Sequence, residues 1–497
     1  MKTVRALIAV VLTGSVLVSD TPAASLKEAE TAMAKATAFM QSIATEGGYL
    51  WRYSDDLKER AGENNATDTQ IWIQPPGTPS MGVAFLHAFK ATGDKRFLEA
   101  ARGAAHALAR GQLESGGWDY LIDFDPAKFK QAYHRSDKGK VSEAEAAKRR
   151  NTTTFDDDNT QSALRFLMAF VEAAKAAPDA RDAEIRAAME YGLAKFLEAQ
   201  YPNGAWPQRY DGKPRNPADF PVKRAQYPKD WPRTYPKVNY AGHYTFNDNS
   251  IHDCIGVALD AYHRFGQAEH LAAAKKGGDF MILAQMPEPQ PAWAQQYNAS
   301  MEPAWARAFE PPAVTGCESV GVLRGLIELY LETGDEKYLK PLPPALAWYQ
   351  RSAIAPSTWA RYYELQTNKP IYGDRDGKIY YRREDISEER QRNYSWRGEY
   401  GFAGALALYE KVKAQGREPY LQSHQPKPMN EKRKAAVRKS LEPKVDKIIA
   451  ALDAQGRWMT EGHFEKKVKG LEFDRRFETS VFIANLKVLS DYVETSR

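Results

Sequence analysis

A short Gly-aromatic motif recurs along this chain and constrains its fold more than any other feature. It stands at four places: Gly47-Gly48-Tyr49, Gly116-Gly117-Trp118, Gly204-Ala205-Trp206 and Gly456-Arg457-Trp458. A second repeat follows an apolar stretch twice, at Thr92-Gly93-Asp94 and Thr333-Gly334-Asp335. A unit of helix, turn and helix cannot bury its apolar face alone, so its copies must stack. The repeats predict an all-α protein, an α/α toroid of helical hairpins that closes or nearly closes. An open helical solenoid is the alternative.

The apolar residues between these turns follow helical spacing. Three helix faces stand out by their i, i+3, i+4, i+7 pattern: Leu164, Leu167, Met168 and Val171; Ile251, Ile255, Ala258 and Tyr262; Val320, Leu323, Ile327 and Tyr330. Thr315 and Glu318 have the spacing of a capping box, in which two side chains satisfy the free N–H groups of a helix start. No alternating pattern indicates a ladder of strands. We therefore expect helices almost throughout.

The first 24 residues have the three-part layout of a secretory signal peptide. Lys2 and Arg5 precede an uncharged apolar run at 6–18, and small residues follow at 19–24. The run is too short for a stable bilayer-spanning helix, although a retained anchor is the alternative. We expect residues 1–24 to be cleaved, and residues 25–497 to form a single domain with 424–497 as a C-terminal helical extension. The mature protein is expected to be exported, periplasmic or secreted, and free of the membrane.

Composition and charge narrow the range of partners. The formal net charge of +5 is too small to identify a polyanionic partner by itself. No nucleic-acid partner is expected, because the chain is exported and has no continuous basic stripe with a reader motif. Cys254 and Cys317 are the only cysteines, and their place on buried helix faces favours two thiols over one disulfide. We expect a monomer.

Three turns carry the side chains that are best suited to bind a metal ion or take part in a reaction: Thr154-Phe155-Asp156-Asp157-Asp158, Thr245-Phe246-Asn247-Asp248-Asn249 and Ala306-Arg307-Ala308-Phe309-Glu310. Carboxylate oxygens are the ligands that calcium prefers, and helix starts favour a nearby anion. Taken singly, the Asp-rich turns are as well explained as helix caps, and Arg307 with Glu310 as an ion pair. The sequence contains no zinc-ligand spacing, nucleophile elbow, P-loop or dinucleotide-binding fingerprint that would indicate another kind of site. We expect the three turns to lie at the entrances of inner helices and to share one cleft.

The ordered set of motifs resembles the pectate lyases of polysaccharide lyase family 10. The resemblance covers roughly residues 100–339 and, less firmly, the run Trp359-Ala360-Arg361-Tyr362-Tyr363-Glu364. Besides the three turns, it rests on Asn151-Thr152-Thr153, Trp206-Pro207-Gln208-Arg209-Tyr210, Pro291-Ala292-Trp293-Ala294-Gln295-Gln296-Tyr297 and Glu318-Ser319. It implies a toroid of helical hairpins, a requirement for Ca²⁺, and a polygalacturonate substrate that is cut by β-elimination.

By motif match, the resemblance gives roles to individual residues. Arg307 and Asp156 are the expected catalytic residues, with Arg307 taking the C5 proton of the sugar. Asp248 is expected to hold calcium against the substrate carboxylate. Asp157 stands where the family leads us to expect an Asn, and as an additional calcium ligand it would raise the affinity or alter which uronate fits. The expected substrate-binding residues are Arg209, Arg390, Glu310 and Asn247.

The chemical role of Arg307 stays open. A free guanidinium has a pKa above ~12, so Arg307 either loses its proton through an unusual environment or stabilises enolate-like charge.

Two other functions for the protein also stay open. A helical-barrel glycoside hydrolase acting on uronic-acid oligosaccharides would use Asp156 and Asp248 as its carboxylate pair, and a non-catalytic toroid would only bind sugar.

Overall fold

Helices dominate the computed structural model, which describes residues 25–425, 428–461 and 475–497. The predicted signal peptide, 1–24, lies outside these residues. The α-helices of the described ranges are α1 Leu26–Ser42, α2 Thr78–Thr92, α3 Lys95–Gly111, α4 Pro126–Phe129, α5 Glu143–Ala146, α6 Asn159–Ala173, α7 Asp182–Ala199, α8 Ser250–Phe265, α9 Ala268–Leu283, α10 Glu318–Thr333, α11 Leu342–Ser352, α12 Glu388–Asn393, α13 Phe402–Gln415, α14 Arg417–His424, α15 Glu431–Ala450 and α16 Thr479–Ser496.

The long helices alternate between two layers. The inner layer runs through α16, α2, α6, α8, α10 and α13, each packed on the next. The outer layer runs through α15, α1, α3 and α7, and each outer helix also contacts the inner layer or its neighbours. One apolar core extends from Ala29 to Val493 between the layers. Because α16 packs on both α1 and α2, the last described helix closes against the first two. The predicted all-α toroid of hairpins is confirmed.

Short antiparallel strands connect the helices, which the sequence did not predict. The described strands are β1 Arg52–Ser54, β2 Arg60–Ala61, β3 Asn65–Ala66, β4 Gln70–Trp72, β5 Leu121–Asp123, β6 Thr153–Thr154, β7 Arg209–Tyr210, β8 Tyr244–Thr245, β9 Gln296–Tyr297, β10 Ala313–Thr315, β11 Trp359–Ala360, β12 Tyr362–Glu364, β13 Pro370–Gly373, β14 Ile379–Tyr380, β15 Arg397–Gly398, β16 Met459–Glu461 and β17 Arg475–Glu478. They form sheets in the orders β16-β17-β1-β2-β3 and β10-β12-β13-β14, and the pairs β11-β15, β4-β5, β6-β7 and β8-β9. Strands of two to four residues are too short to show an alternating pattern.

The Gly-aromatic motif ends an outer helix each time it occurs. The first glycine of each copy has a left-handed backbone, with φ between 91° and 104°: Gly47, Gly116, Gly204 and Gly456. Where the aromatic residue is Trp, its indole N–H donates to a carbonyl ten residues upstream at 2.8–3.2 Å: Trp118 to Leu108, Trp206 to Phe196, and Trp458 to Ile448. The motif therefore turns the chain from one layer to the next and satisfies a carbonyl near the end of the outer helix.

We expect Gly204→Ala to lower the free energy of unfolding by at least about 2 kcal/mol, because the substitution combines a strained backbone with a backbone clash. The Gly204 φ is +100°, and a Cβ there would lie 2.1 Å from the carbonyl oxygen of Lys276 in α9. Gly266→Ala is the matched control, since Gly266 has a φ of +71° and open space around it; it should cost roughly 1 kcal/mol. Urea unfolding measures both, and equal losses would contradict the packing argument.

The second Thr-Gly-Asp unit departs from the first. In the first, Gly93 links α2 directly to α3, as predicted. After α10 and Gly334, a short 3-10 turn at Glu336–Leu339 precedes α11. Prolines at 341, 343 and 344 explain the break, because each lacks the N–H that a continuous helix would need.

Two smaller expectations concern cysteines and the membrane. Cys254 and Cys317 are both free thiols; Cys254 is buried and Cys317 partly so. In the part of the chain that the structure describes, no helix is both long and apolar enough to cross a bilayer.

Candidate active site

Two turns of the same backbone shape form the floor of a cleft at one end of the inner layer. The first is the 3-10 turn Asp156–Asp158, directly before α6, and the second is Asn247–Asn249, directly before α8. In each turn the last two residues are left-handed, with φ of 50° and 56° in the first and 47° and 60° in the second. Asp and Asn tolerate this conformation better than other side chains do, and such strain concentrates at functional sites. The strand pairs β6-β7 and β8-β9 lead into these turns.

Hydrogen bonds tie the carboxylates of the two turns into one cluster. The side-chain amide of Asn247 donates to Asp156 Oδ1 at 3.1 Å and to Asp248 Oδ2 at 2.5 Å. The Tyr120 hydroxyl donates to Asp156 Oδ2 at 2.8 Å and contacts Asp157 Oδ2 at 3.2 Å. One oxygen from each of Asp156, Asp157 and Asp248 lies within 4.8 Å of the others. The structure thus brings together four predicted site residues, Asp156, Asp157, Asp248 and Asn247, and adds Tyr120, which the sequence had not indicated.

The cluster concentrates negative charge. Two effects raise the pKa of Asp157 to about 7 and that of Asp248 to about 6: first the partial loss of water around each carboxylate, and second the negative charge of Asp156. Neither Asp157 nor Asp248 forms an ion pair with another described residue. Carboxylate oxygens crowded in this way suit a hard divalent cation such as calcium, which binds six to eight oxygens in a flexible shell. The donor set therefore fits the predicted ion.

These raised pKa values predict that the calcium-free protein becomes less stable as pH rises from about 4 to about 7. In this window the folded state keeps protons on Asp157 and Asp248 that the unfolded chain has released, so unfolding releases protons and rising pH favours it. Calcium binds the ionised carboxylates, and it should therefore raise the melting temperature more at pH 8 than at pH 5. Thermal melts with and without calcium measure this, and an equal calcium effect at both pH values would contradict it.

A cavity continues from the cluster along the inner helices. It has an open volume of about 730 Å³ and is lined mainly by polar side chains: Asp248, Asn249, His252, Asp253, Cys317, Glu318, Arg324 and Tyr400. Such a lining suits a hydrated cation and polar sugar groups better than an apolar ligand.

The third turn is not at a helix entrance, which corrects the sequence-based expectation. The Glu310 N–H donates to the Arg307 carbonyl at 2.9 Å, and the turn leads into β10, with α10 beginning only at Glu318. Pro311 and Pro312 follow Glu310 directly. The residue before a proline is biased towards an extended backbone, so the chain leaves this turn as a strand. The turn still lies near the carboxylate cluster, because the charge of Arg307 acts on Asp248, and Tyr240 lies within the influence of both Arg307 and Asp156.

Arg307 is held by a buried carboxylate. Its side chain is 43% exposed. The guanidinium lies 4.9 Å from the centre of the Phe309 ring and donates from Nη2 to Glu310 Oε1 at 2.5 Å. Glu310 is 1% exposed. Burial acts to lower the pKa of Arg307, but the hydrogen bond and charge of Glu310 outweigh it, so this pKa lies above the ordinary range. In the protein alone, Arg307 therefore presents a full positive charge to the cleft.

The predicted substrate-binding residues divide into two groups. The Arg209 guanidinium is partly exposed, 3.7 Å from Asp119 and 5.7 Å from the Tyr120 ring centre, so it lies beside the carboxylate cluster. Arg390 is buried: it donates to both oxygens of Glu389 at 2.7 and 2.5 Å and lies over Phe309. Asn247 and Glu310 are buried as well. Arg209 is thus open to a ligand, whereas the other three lie behind the cleft surface, and their substrate contacts stay predictions.

A buried ion pair behind the cleft was missed. Arg361 pairs with Glu318, and both are buried. The predicted capping box of Thr315 and Glu318 is wrong, because Cys317 is the residue before α10 and its side chain makes no capping bond. Glu318 turns instead to a cation 43 residues later in the chain. The Trp359–Glu364 run was the available signal, and its Arg361 had been given no role.

The chain is similar to known proteins in sequence and in fold. The family model described as pectic acid lyase matches residues 125–217, 210–357 and 351–403, together more than half of the chain. No curated protein sequence matches the chain. Similar solved structures include a family 10 polysaccharide lyase from Cellvibrio cellulosa, at 22% identity and a TM-score of 0.45, covering 68% of this chain and 97% of that one.

Two further solved structures are similar. A point mutant of the Cellvibrio cellulosa lyase in complex with trigalacturonic acid has 22% identity and a TM-score of 0.43, covering 67% of this chain and 98% of that one. A family 76 α-mannanase from Bacteroides thetaiotaomicron has 9% identity and a TM-score of 0.41, covering 94% and 96%. The extent of the family match decides the assignment: this chain belongs to the pectic acid lyase family and is a polysaccharide lyase.

Proposed function

We propose that this protein is an exported pectate lyase that cleaves polygalacturonate-type uronans by calcium-assisted β-elimination. The observation that carries the proposal is a cluster of three carboxylates within 4.8 Å of one another, with a partly exposed arginine whose charge acts on one of them. Membership of the pectic acid lyase family supports the substrate class. A hydrolase would need a carboxylate pair but would have no use for Arg307.

The elimination sets three chemical demands. The C5 carboxylate of the sugar must be neutralised, the C5 proton must be removed, and the C4 oxygen must leave with a proton. We assign calcium binding to Asp248 and Asp157; when bound, calcium neutralises the sugar carboxylate and makes the C5 proton more acidic. Asp156, fixed by Tyr120 and Asn247, is the acidic partner beside the reacting sugar. Arg209 is placed to bind the carboxylate of a neighbouring sugar unit.

Arg307 acts at C5 in this proposal. Glu310 disfavours loss of the Arg307 proton, so the neutral base form requires the positive charge of the loaded site to offset Glu310. The charged form can stabilise the negative charge that develops as the C5 proton leaves. Both roles need the guanidinium at this position, with Glu310 holding it there.

We further propose that residues 1–24 direct export and that residues 25–497 act as one monomeric lyase domain. The packing of α15 and α16 on α1 supports including the predicted extension, 424–497, in this domain. Intact mass of the exported protein and its molar mass in solution test cleavage and oligomeric state. Retention of residues 1–24 or a stable dimer would contradict these proposals.

An absorbance assay tests the proposed function. Polygalacturonate, methyl-esterified pectin and alginate are incubated in parallel with calcium or with a chelator. We expect ultraviolet absorbance from a conjugated uronate to appear with polygalacturonate and calcium, and to vanish with the chelator. New reducing ends without this absorbance would indicate a hydrolase, and binding without products would indicate a sugar-binding protein.

A further inference from the structure

A line of hydrogen-bonded side chains runs from the protein interior to the carboxylate that holds Arg307. The Tyr394 hydroxyl contacts Glu310 Oε1 at 2.9 Å, the same oxygen that accepts from Arg307 Nη2 at 2.5 Å. The hydroxyls of Tyr394 and Tyr362 lie 2.8 Å apart, and Tyr362 also contacts the Gln295 side chain. Glu310 is the one charged acceptor in this line, so Tyr394 donates its proton there.

The Tyr394 ring has little freedom to move. It meets Phe309 and Trp396 edge to face, with centroids 5.2 and 4.8 Å apart, and the Arg361 guanidinium lies 4.5 Å from its centre. Arg361 is in turn fixed by its ion pair with Glu318. The hydroxyl is therefore presented to Glu310 in one orientation.

We infer that Tyr394 is a positioning residue that sets how tightly Glu310 holds the Arg307 guanidinium, and thereby how readily Arg307 acts at C5 of the substrate. This inference rests on the proposed function. Nothing in the lyase chemistry itself requires a tyrosine behind Glu310, and Tyr394 is not expected to touch the sugar.

The physical reason is competition for one carboxylate oxygen. An oxygen that accepts two hydrogen bonds divides its negative charge between the two donors. Without the Tyr394 hydroxyl, Arg307 is the one side-chain donor left to Glu310 Oε1 among the described contacts. Water cannot readily replace the hydroxyl, because Glu310 is almost fully buried. Glu310 would then hold the Arg307 proton more strongly, and the pKa of Arg307 would rise further.

Other charges face the Arg307–Glu310 pair, and the substitution leaves them in place. They come from α12, the residue between β11 and β12, β12, α10, the 3-10 turn before α8 and the segment before β8: Glu389 and Arg390, Arg361, the ionisable Tyr362, Glu318, Asp248, and the ionisable Tyr240. Tyr394→Phe keeps the ring that packs on Phe309, Trp396 and Arg361. A change in pH dependence would therefore report the hydroxyl alone.

The test is the pH profile of kcat and KM for the full chain on polygalacturonate at saturating calcium. For Tyr394→Phe we expect kcat at a fixed pH on the rising limb to fall about fivefold to tenfold, with KM unchanged. The rising limb should move to higher pH by up to about one unit, which is the displacement that a tenfold fall implies. A residue with a merely structural role would lower kcat equally at every pH.

Two variants sharpen the test. Tyr380→Phe is the matched control: its hydroxyl also donates to a carboxylate, Asp376 Oδ2 at 2.8 Å, and it lies in β14, in the sheet that contains Tyr362. Its profile should match the wild type. Tyr362→Phe should move the limb in the same direction by less, and it replaces Tyr394→Phe if that variant does not fold. If kcat of Tyr394→Phe falls equally at every pH, or if its rising limb does not move although the wild type is active, this inference is wrong and the proposed function is unaffected. A wild type inactive on every uronan overturns the proposed function instead.

Discussion

Arg307→Ala is expected to lower kcat on polygalacturonate by at least about 10³-fold, because loss of a preorganised group at the site of developing charge costs about this much. Arg307 is a partly exposed cation whose charge acts on Asp248 of the Asp156–Asp157–Asp248 cluster. Arg307→Lys keeps a charge but loses the planar fork that pairs with Glu310, and it should recover only a small part of the activity. Steady-state kinetics at saturating calcium measure both variants.

The stability of Arg307→Ala needs its own control, because the substitution leaves the carboxylate of Glu310, which is 1% exposed, without its cation. An unpaired buried charge is strongly destabilising. The double variant Arg307→Ala with Glu310→Gln removes that charge, so it should regain stability while staying inactive. Near-normal turnover in either variant would contradict any role for Arg307 at C5, whether as base or as charge stabiliser.

Asp248→Ala is expected to raise the calcium concentration required for half-maximal activity by at least about 100-fold, because it removes one ligand from a small site whose affinity depends on ligand number. Asp157→Asn should have a smaller effect in the same direction. Calcium titrations of the rate on polygalacturonate measure both. Added calcium should restore part of the activity of Asp157→Asn but little of that of Asp248→Ala.

Asp158→Asn is the matched control for these variants. Asp158 shares the left-handed turn with Asp157, but its carboxylate pairs with Arg165 at 2.8 Å instead of facing the cluster. Its substitution should leave the calcium titration unchanged. If Asp158→Asn weakened the calcium response as much as Asp248→Ala, the response would reflect the shape of the turns, and Asp248 would not be a specific ligand.

The fold was largely predictable because its information is local. The Gly-aromatic motif shows in the sequence, and each copy has a left-handed glycine that ends an outer helix. Helical spacing likewise identified α6, α8 and α10. What escaped prediction was either too short, as with strands of two to four residues, or dependent on distant partners. Glu318 looked like a capping residue because Arg361, which it pairs with, is 43 positions away.

The candidate site, too, could be predicted from the sequence only in part. The Asp-rich turns could be identified from the sequence, since Asp and Asn in consecutive positions before a helix form a recognisable pattern. The partners that orient them could not, because Tyr120 reaches Asp156 across 36 positions and Tyr394 reaches Glu310 across 84. Tyrosine fills cores as often as sites, so its type alone carries no signal. For Arg390 the sequence pointed to the wrong environment. Its charge suggested a substrate-binding residue in the cleft, but Glu389 and Phe309 hold it in the interior.

The masses of the products formed from a polygalacturonate oligomer of defined length test the central claim most directly. β-Elimination breaks the chain without adding water, so the two fragments of each cut should add up to the mass of the substrate, with the fragment from the reducing end carrying the double bond. We predict this result with calcium and no products with a chelator. Fragments that add up to the substrate plus one water, formed whether or not calcium is present, would contradict the account.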